Sequence, residues 1–68
     1  MIIYNNIKEV MRLKRYRQKE LSRKIGMTPQ QLSEVTRLAN PTIKTCIRIA
    51  RGMGCKVDDL FIVIDEDI

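Results

Sequence analysis

The sequence predicts a small, mainly all-α fold with a short strand at each end, and three observations predict it. Apolar residues recur at spacings of three and four through most of the chain, which is the helical period. Gly, Pro, Thr and Asn stand at the breaks between those runs, where caps and turns need them. The two β-branched runs, MIIY at 1–4 and FIVI at 61–64, lie at opposite ends of the 68 residues.

Each element has a local reason. Residues 2–4 form a strand candidate because they are apolar and β-branched or aromatic. Asn6 stands three residues before Glu9, the spacing of a capping box, and Ile7, Val10, Met11 and Lys14 follow at helical spacing. A first helix is therefore expected over 7–14, followed by the basic connection KRYR at 14–17. A second helix over 18–25 has Leu21 and Ile25 one turn apart on its inner face. Gly26 follows, where a left-handed terminal conformation is least strained for glycine. Thr28 is placed to cap a third helix over 29–37, with Pro29 at its first position, where a missing N–H does no harm. Leu32 and Val35 point this helix inward.

In LANPT at 38–42, Pro41 disfavours helical geometry at Asn40, and Thr42 is placed to cap a fourth helix. That helix is expected over 42–52, with an inner stripe of Ile43, Cys46, Ile47 and Ala50, ended by Gly52 and Gly54. VDDLF at 57–61 reads as one short helical turn, and 61–64 as the second strand candidate, before the acidic DED at 65–67.

A chain of this length forms one domain, here 1–68, and a small one that buries a limited share of its surface. No apolar run approaches a membrane span, and the N-terminus lacks the basic-then-apolar pattern of a signal peptide, so a cytoplasmic protein is expected. The two cysteines, Cys46 and Cys55, fit no zinc spacing and are expected as reduced thiols, and no metal or cofactor is indicated. Without His, a Gly-rich phosphate loop or a nucleophile with a base partner, the chain offers no catalytic residues and reads as a non-enzyme. No pocket for a small-molecule ligand is suggested.

Charge carries the functional signal. The formal net charge is +5, from 13 Lys and Arg against 8 Asp and Glu. All 13 basic residues lie within 1–56, which hold only Glu9, Glu20 and Glu34 as acids. The remaining segment is purely acidic. A basic body suits a polyanionic partner, although a solvated charged face would read the same way.

The stretch QKELSRKIGMTPQQLSEV, residues 18–35, joins two short helices through a three-residue break, an arrangement suited to a crossing far from antiparallel. Leu21, Ile25, Met27, Leu32 and Val35 can converge on one core, with the small Ser22 at the corner. Gln30, Gln31, Ser33, Glu34 and Arg37 are left on the outer face of the third helix. Gln can bond adenine in pairs, Ser can contact either base class, and Glu can accept from cytosine. The N-terminal ends of the second and third helices suit phosphate oxygens.

From about Ile7 to Phe61 the chain resembles the phage-repressor-like (Cro/C1, or XRE) helix-turn-helix family of DNA-binding domains. Gln18, Leu21, Ile25, Gly26, Thr28, Leu32 and Val35 carry the match, with NPT at 40–42, IRIA at 47–50 and VDDLF at 57–61. The resemblance implies five helices, with the third in the major groove of double-stranded DNA, and a transcriptional regulator, most often a repressor. It implies phosphate contacts from Gln18 and Thr28. It places Pro29, Gln30, Ser33 and Glu34 toward bases, and Gln31 and Arg37 at bases or backbone. Arg17, just before the second helix, is close enough for another phosphate contact.

Three departures stand out. Arg17 replaces the usual capping residue of the second helix. Pro29 replaces a polar base reader, which shifts readout to Gln30, Gln31 and Glu34. The loop after the third helix, TRLA at 36–39, is short and lacks Gly. In addition, Met11 and Thr36 stand where the family often has a buried Arg–Glu pair. Losing both charges together can be neutral.

The terminal runs suggest a homodimer. Ile2 and Ile3 with Phe61, Ile62, Val63 and Ile64 can pair as a two-stranded antiparallel sheet that meets a second copy, as in short members of this family. The alternatives are a protein-interaction module, or the antitoxin of a toxin–antitoxin pair, that keeps the fold. An interaction module should show an apolar outer face, an antitoxin would bind both DNA and a protein, and DNA binding should set Arg17, Lys19, Arg37 and Lys44 in one stripe around the third helix.

Overall fold

A computed structural model of the chain describes residues 1–66. The element order is β1 (Ile2–Asn5), α1 (Ile7–Leu13), α2 (Gln18–Ile25), α3 (Pro29–Val35), α4 (Ile43–Met53), a 3₁₀ turn (Val57–Leu60) and β2 (Phe61–Ile64). Among the described residues there are thus four α-helices, not five. VDDL closes as a single 3₁₀ turn, and Phe61 leaves it to begin β2. The third helix stops at Val35, with Thr36 and Arg37 in the turn that follows, and α1 ends one residue early at Leu13.

The core lies where the four helices and the 3₁₀ turn meet. Ile7, Leu21, Leu32, Ile49 and Leu60 are fully buried, one from each of these elements. Each such side chain contributes about 1.5–3 kcal/mol relative to exposure, so these five anchor the fold. Ile25, Val35 and Phe61 pack against this cluster from its margin, while Met27 is only half-buried. Ser22 is buried at the α2 corner, and its hydroxyl donates to the carbonyl of Lys19 at 3.0 Å.

Helix α4 faces differently from the stripe its sequence suggests. Its buried residues are Cys46, Ile49, Ala50, Gly52 and Met53, whereas Ile43 is 66% and Ile47 36% exposed. The helix has isoleucines on both sides, so periodicity alone admits two stripes. Close packing against α2 selects the one containing Gly52. A Cβ on Gly52 would stand 2.4 Å from Ile25 Cγ2 and 3.2 Å from Leu21 Cδ1. Gly52 therefore lies inside the helix as a contact point and does not end it. The end comes at Gly54, in the left-handed conformation at φ 69°, with the Cys55 N–H closing on the Ala50 carbonyl at 3.0 Å.

The first helix is also started differently. Asn6 makes no side-chain cap; the neighbouring Asn5 accepts from the Ile7 N–H at 3.0 Å. Glu9 pairs with Arg12 on the exposed surface, and that hydrogen bond holds its carboxyl below the usual range. The terminal runs pair as expected, antiparallel, in the register Ile2↔Ile64, Ile3↔Val63, Tyr4↔Ile62 and Asn5↔Phe61.

Gly52→Ala is expected to destabilise the protein by about 1–3 kcal/mol in denaturant titration, because the added methyl overpacks a well-filled contact. The loss should shrink in an Ile25→Ala background, which removes the clashing methyl group and couples the two sites. Equal losses in both backgrounds would contradict the contact.

Candidate nucleic-acid interface

The helix–turn–helix unit is built by local chemistry at three points. Gly26 terminates α2 at φ 74°, and the Met27 N–H reaches back to the Ser22 carbonyl at 2.8 Å. Thr28 then caps α3, its Oγ1 accepting from the Gln31 N–H at 3.1 Å, while Gln31 Oε1 accepts from the Thr28 N–H at 3.0 Å. This reciprocal capping box fixes where α3 begins. Pro29 occupies its first turn. The side chain of Gln18 donates to the Pro29 carbonyl at 2.8 Å and joins the start of α2 to the start of α3.

Two long-range contacts hold the ends of these helices. Arg48 on α4 donates to the Ile25 carbonyl at 2.5 Å and to the Gly26 carbonyl at 3.3 Å, placing a cation at the negative end of α2. At the far end of α3, the Asn5 amide donates to the Val35 carbonyl at 2.9 Å and the Leu38 carbonyl at 2.8 Å. The short TRLA turn does without glycine, because its own N–H groups also close the helix, Arg37 on the Glu34 carbonyl at 3.0 Å and Leu38 on the Val35 carbonyl at 3.2 Å. At the start of α2, Arg17 provides no side-chain cap, but Glu20 reaches back to its N–H at 3.4 Å.

The surface this produces is polar and rich in amides. Thr28, Pro29, Gln30, Gln31, Glu34 and Arg37 are exposed, and Gln18 and Ser33 half-buried. Among the described residues, Gln30 and Glu34 have no side-chain hydrogen-bond partner, whereas Gln31 is turned toward its cap. Arg37 donates to Ser33 Oγ at 2.9 Å. Met11 and Thr36 border one shallow concavity beside α3 with Lys8, Gln18, Ser33 and Arg37. The Thr36 hydroxyl donates to the Ser33 carbonyl at 2.6 Å, so the site of the missing ion pair is quiet.

Basic side chains border this face. Lys19 and Arg23 flank Thr28 and Pro29 in a second concavity, and Arg15, Arg17, Lys19 and Arg23 line a third with Glu20. Lys44 is exposed on α4 and borders none of the three. Lys8, Arg15 and Arg23 are additions to the sequence-based set. The four-residue spacing of Lys19 and Arg23 on α2 could have revealed Arg23, but the positions of Arg15, in the turn before α2, and Lys8, on α1, depend on tertiary packing.

Arg15 has a further peculiarity. It adopts φ 60°, the left-handed region, in the turn between α1 and α2. A non-glycine residue is strained there, typically by about 1–2 kcal/mol.

Two helices set across a glycine corner, with a capped, polar second helix beside cationic grooves, define a helix-turn-helix protein. The helix-turn-helix family profile matches residues 7–60 of this chain. The chain belongs to this family, in its Cro/C1-type (XRE) branch. It is similar to an uncharacterized HTH-type transcriptional regulator of Methanocaldococcus jannaschii, 28% identical over 64 residues, which cover 93% of this chain and 97% of that one. These matches support a DNA-binding regulator.

Arg15→Gly is expected to raise stability by about 0.5–1 kcal/mol in thermal unfolding, since glycine relieves the left-handed turn. A melting temperature that falls would show that the arginine side chain stabilises the turn by more than its backbone strain.

Proposed function

We propose that residues 1–68 act as one sequence-specific DNA-binding unit, a homodimeric transcriptional repressor that works in the cytoplasm. Helix α3 lies in the major groove. Gln30 and Glu34 read base edges, with Ser33 and Pro29 in van der Waals reach of them and Gln31 at the groove margin. Arg17, Gln18, Thr28 and Arg37 bind phosphates around it. The observation that carries this reading is the outer face of α3: exposed, without a large apolar side chain, and bordered by Lys8, Lys19, Arg23 and Arg37.

The dimer is proposed to form through the terminal ribbon. Ile2, Ile3, Tyr4, Ile62, Val63 and Ile64 are between 38% and 53% exposed, so neither face of the two-stranded sheet is covered by the helical body. A ribbon this short is not stable by itself, and its open edges are templates for further pairing. A second copy brings a matching apolar surface. Two-fold symmetry then sets two α3 helices about 34 Å apart on a pseudo-palindromic site. Repression needs nothing beyond occupancy, because a bound dimer blocks the DNA it covers.

Selection of binding sites from random duplexes tests the reading, with a two-fold related pair of half-sites as the expected product. Gln30→Ala should relax preference at one or two base positions, losing about 1–3 kcal/mol on the selected site and almost nothing on random DNA. An unchanged preference would remove Gln30 from the base-reading set. Deletion of residues 62–68 should shift the sedimentation equilibrium toward monomer. A truncated chain that still sediments as a dimer would place the interface elsewhere.

A further inference from the structure

We propose that Asn5 is a positioning residue that locks the terminal ribbon to the end of α3 and so sets the half-site spacing the dimer accepts. The proposal deepens the dimeric DNA-binding reading and rests on it. One side chain makes the connection. Its two amide hydrogens go to the carbonyls of Val35 and Leu38, at 2.9 and 2.8 Å, and its oxygen accepts from the Ile7 N–H at 3.0 Å. An Asn side chain has one amide nitrogen with two donors and one acceptor oxygen, and here each is engaged. The partners lie on α1, on the last turn of α3 and in the loop after it. Asn5 is also the last residue of β1, opposite Phe61.

The surroundings support a rigid joint at this point. Phe61 packs against the core, and the Asn6 N–H donates to the Leu60 carbonyl at 2.8 Å. Ile3 and Phe61 line a shallow concavity with Ala39, Asn40 and Pro41, so the base of the ribbon abuts the loop that follows α3. Beyond that base, the ribbon is exposed on both faces. The angle between dimerising arm and recognition helix is therefore set at its root. The end of α3 closes partly on its own turn, where the Thr36, Arg37 and Leu38 N–H groups donate to the carbonyls of Leu32, Glu34 and Val35. Asn5 adds a second donor to the Val35 carbonyl and one to the Leu38 carbonyl, both from the arm itself.

Asn5→Asp separates the roles of this side chain. The carboxylate keeps the acceptor for Ile7 but loses both donors, and it sets negative oxygen against two carbonyls. Backbone N–H residual dipolar couplings of the DNA-free protein give the first readout. In the wild type, one alignment tensor should fit the ribbon and α3 together; in Asn5→Asp the two should need separate tensors. The second readout is affinity for the selected operator and for versions with one base pair added or removed between half-sites. The wild type should prefer the native spacing by roughly tenfold or more, and Asn5→Asp should lose most of that preference while keeping its affinity for random DNA. A merely stabilising role would lower affinity for all spacings alike.

Spacing discrimination equal to wild type, or a single tensor in the variant, would overturn the proposal. If the wild type binds no operator, the DNA reading fails, while the dipolar couplings still judge the joint. Should Asn5→Asp fail to fold, trans-hydrogen-bond scalar couplings in the wild type decide. They are expected from the Asn5 side-chain nitrogen to the carbonyl carbons of Val35 and Leu38, and their absence would overturn the proposal.

Discussion

The approach of α4 to α2 is the constraint on which the other elements depend. Gly52 leaves room for Ile25 and Leu21 to lie directly on the α4 backbone, where even a methyl group would collide. That contact brings Arg48 within reach of the α2 carbonyls, and Arg48 in turn holds the corner at Gly26 from which α3 departs. It also fixes the rotation of α4, placing Ile49 and Met53 in the core and Ile43 and Ile47 outside. A chain of 68 residues, whose two cysteines are free, has little other material with which to define a unique core.

The same economy governs the helix ends. Short helices leave many backbone groups unpaired relative to their length. Here backbone turns close part of each end, and side chains on other elements add to the repair, Arg48 for α2 and Asn5 for α3, while Gln18 ties the start of α2 to the start of α3. Among the described residues, no buried side-chain polar atom lacks a partner. The repairs leave the outer face of α3 almost uncommitted. The side chains of Gln30 and Glu34 have no partner among the described residues, which is what a reading surface requires.

How much of this was legible depends on the range of each interaction. The α2–α3 corner was readable because Gly26, Thr28 and Pro29 act on their immediate neighbours, and each does what its chemistry dictates. The polar face of α3 followed from the same local reading. The α4 stripe was readable only in part: Cys46 and Ala50 are buried as expected, but Ile43, Ile47 and Ile49 surround the helix and only the fit of Gly52 against α2 chooses among them. The capping-box spacing to Glu9 pointed to Asn6, not Asn5. What distinguishes Asn5 is a pair of carbonyls 30 and 33 residues away, to which no local pattern points. VDDLF was legible as one short helical turn, but the fifth helix that the resemblance implies is only a 3₁₀ turn, because the strand that begins at Phe61 cuts it short.

The most direct test of the central claim, that α3 and its cationic border form a sequence-reading DNA surface, is a fluorescence-anisotropy titration. It compares duplex from the gene's own upstream region with a scrambled duplex, at roughly 50 and 200 mM salt. Tight binding to the upstream duplex, with weaker and more steeply salt-dependent binding to the scrambled one, is the predicted result. Absence of binding to either duplex at the lower salt would contradict the account.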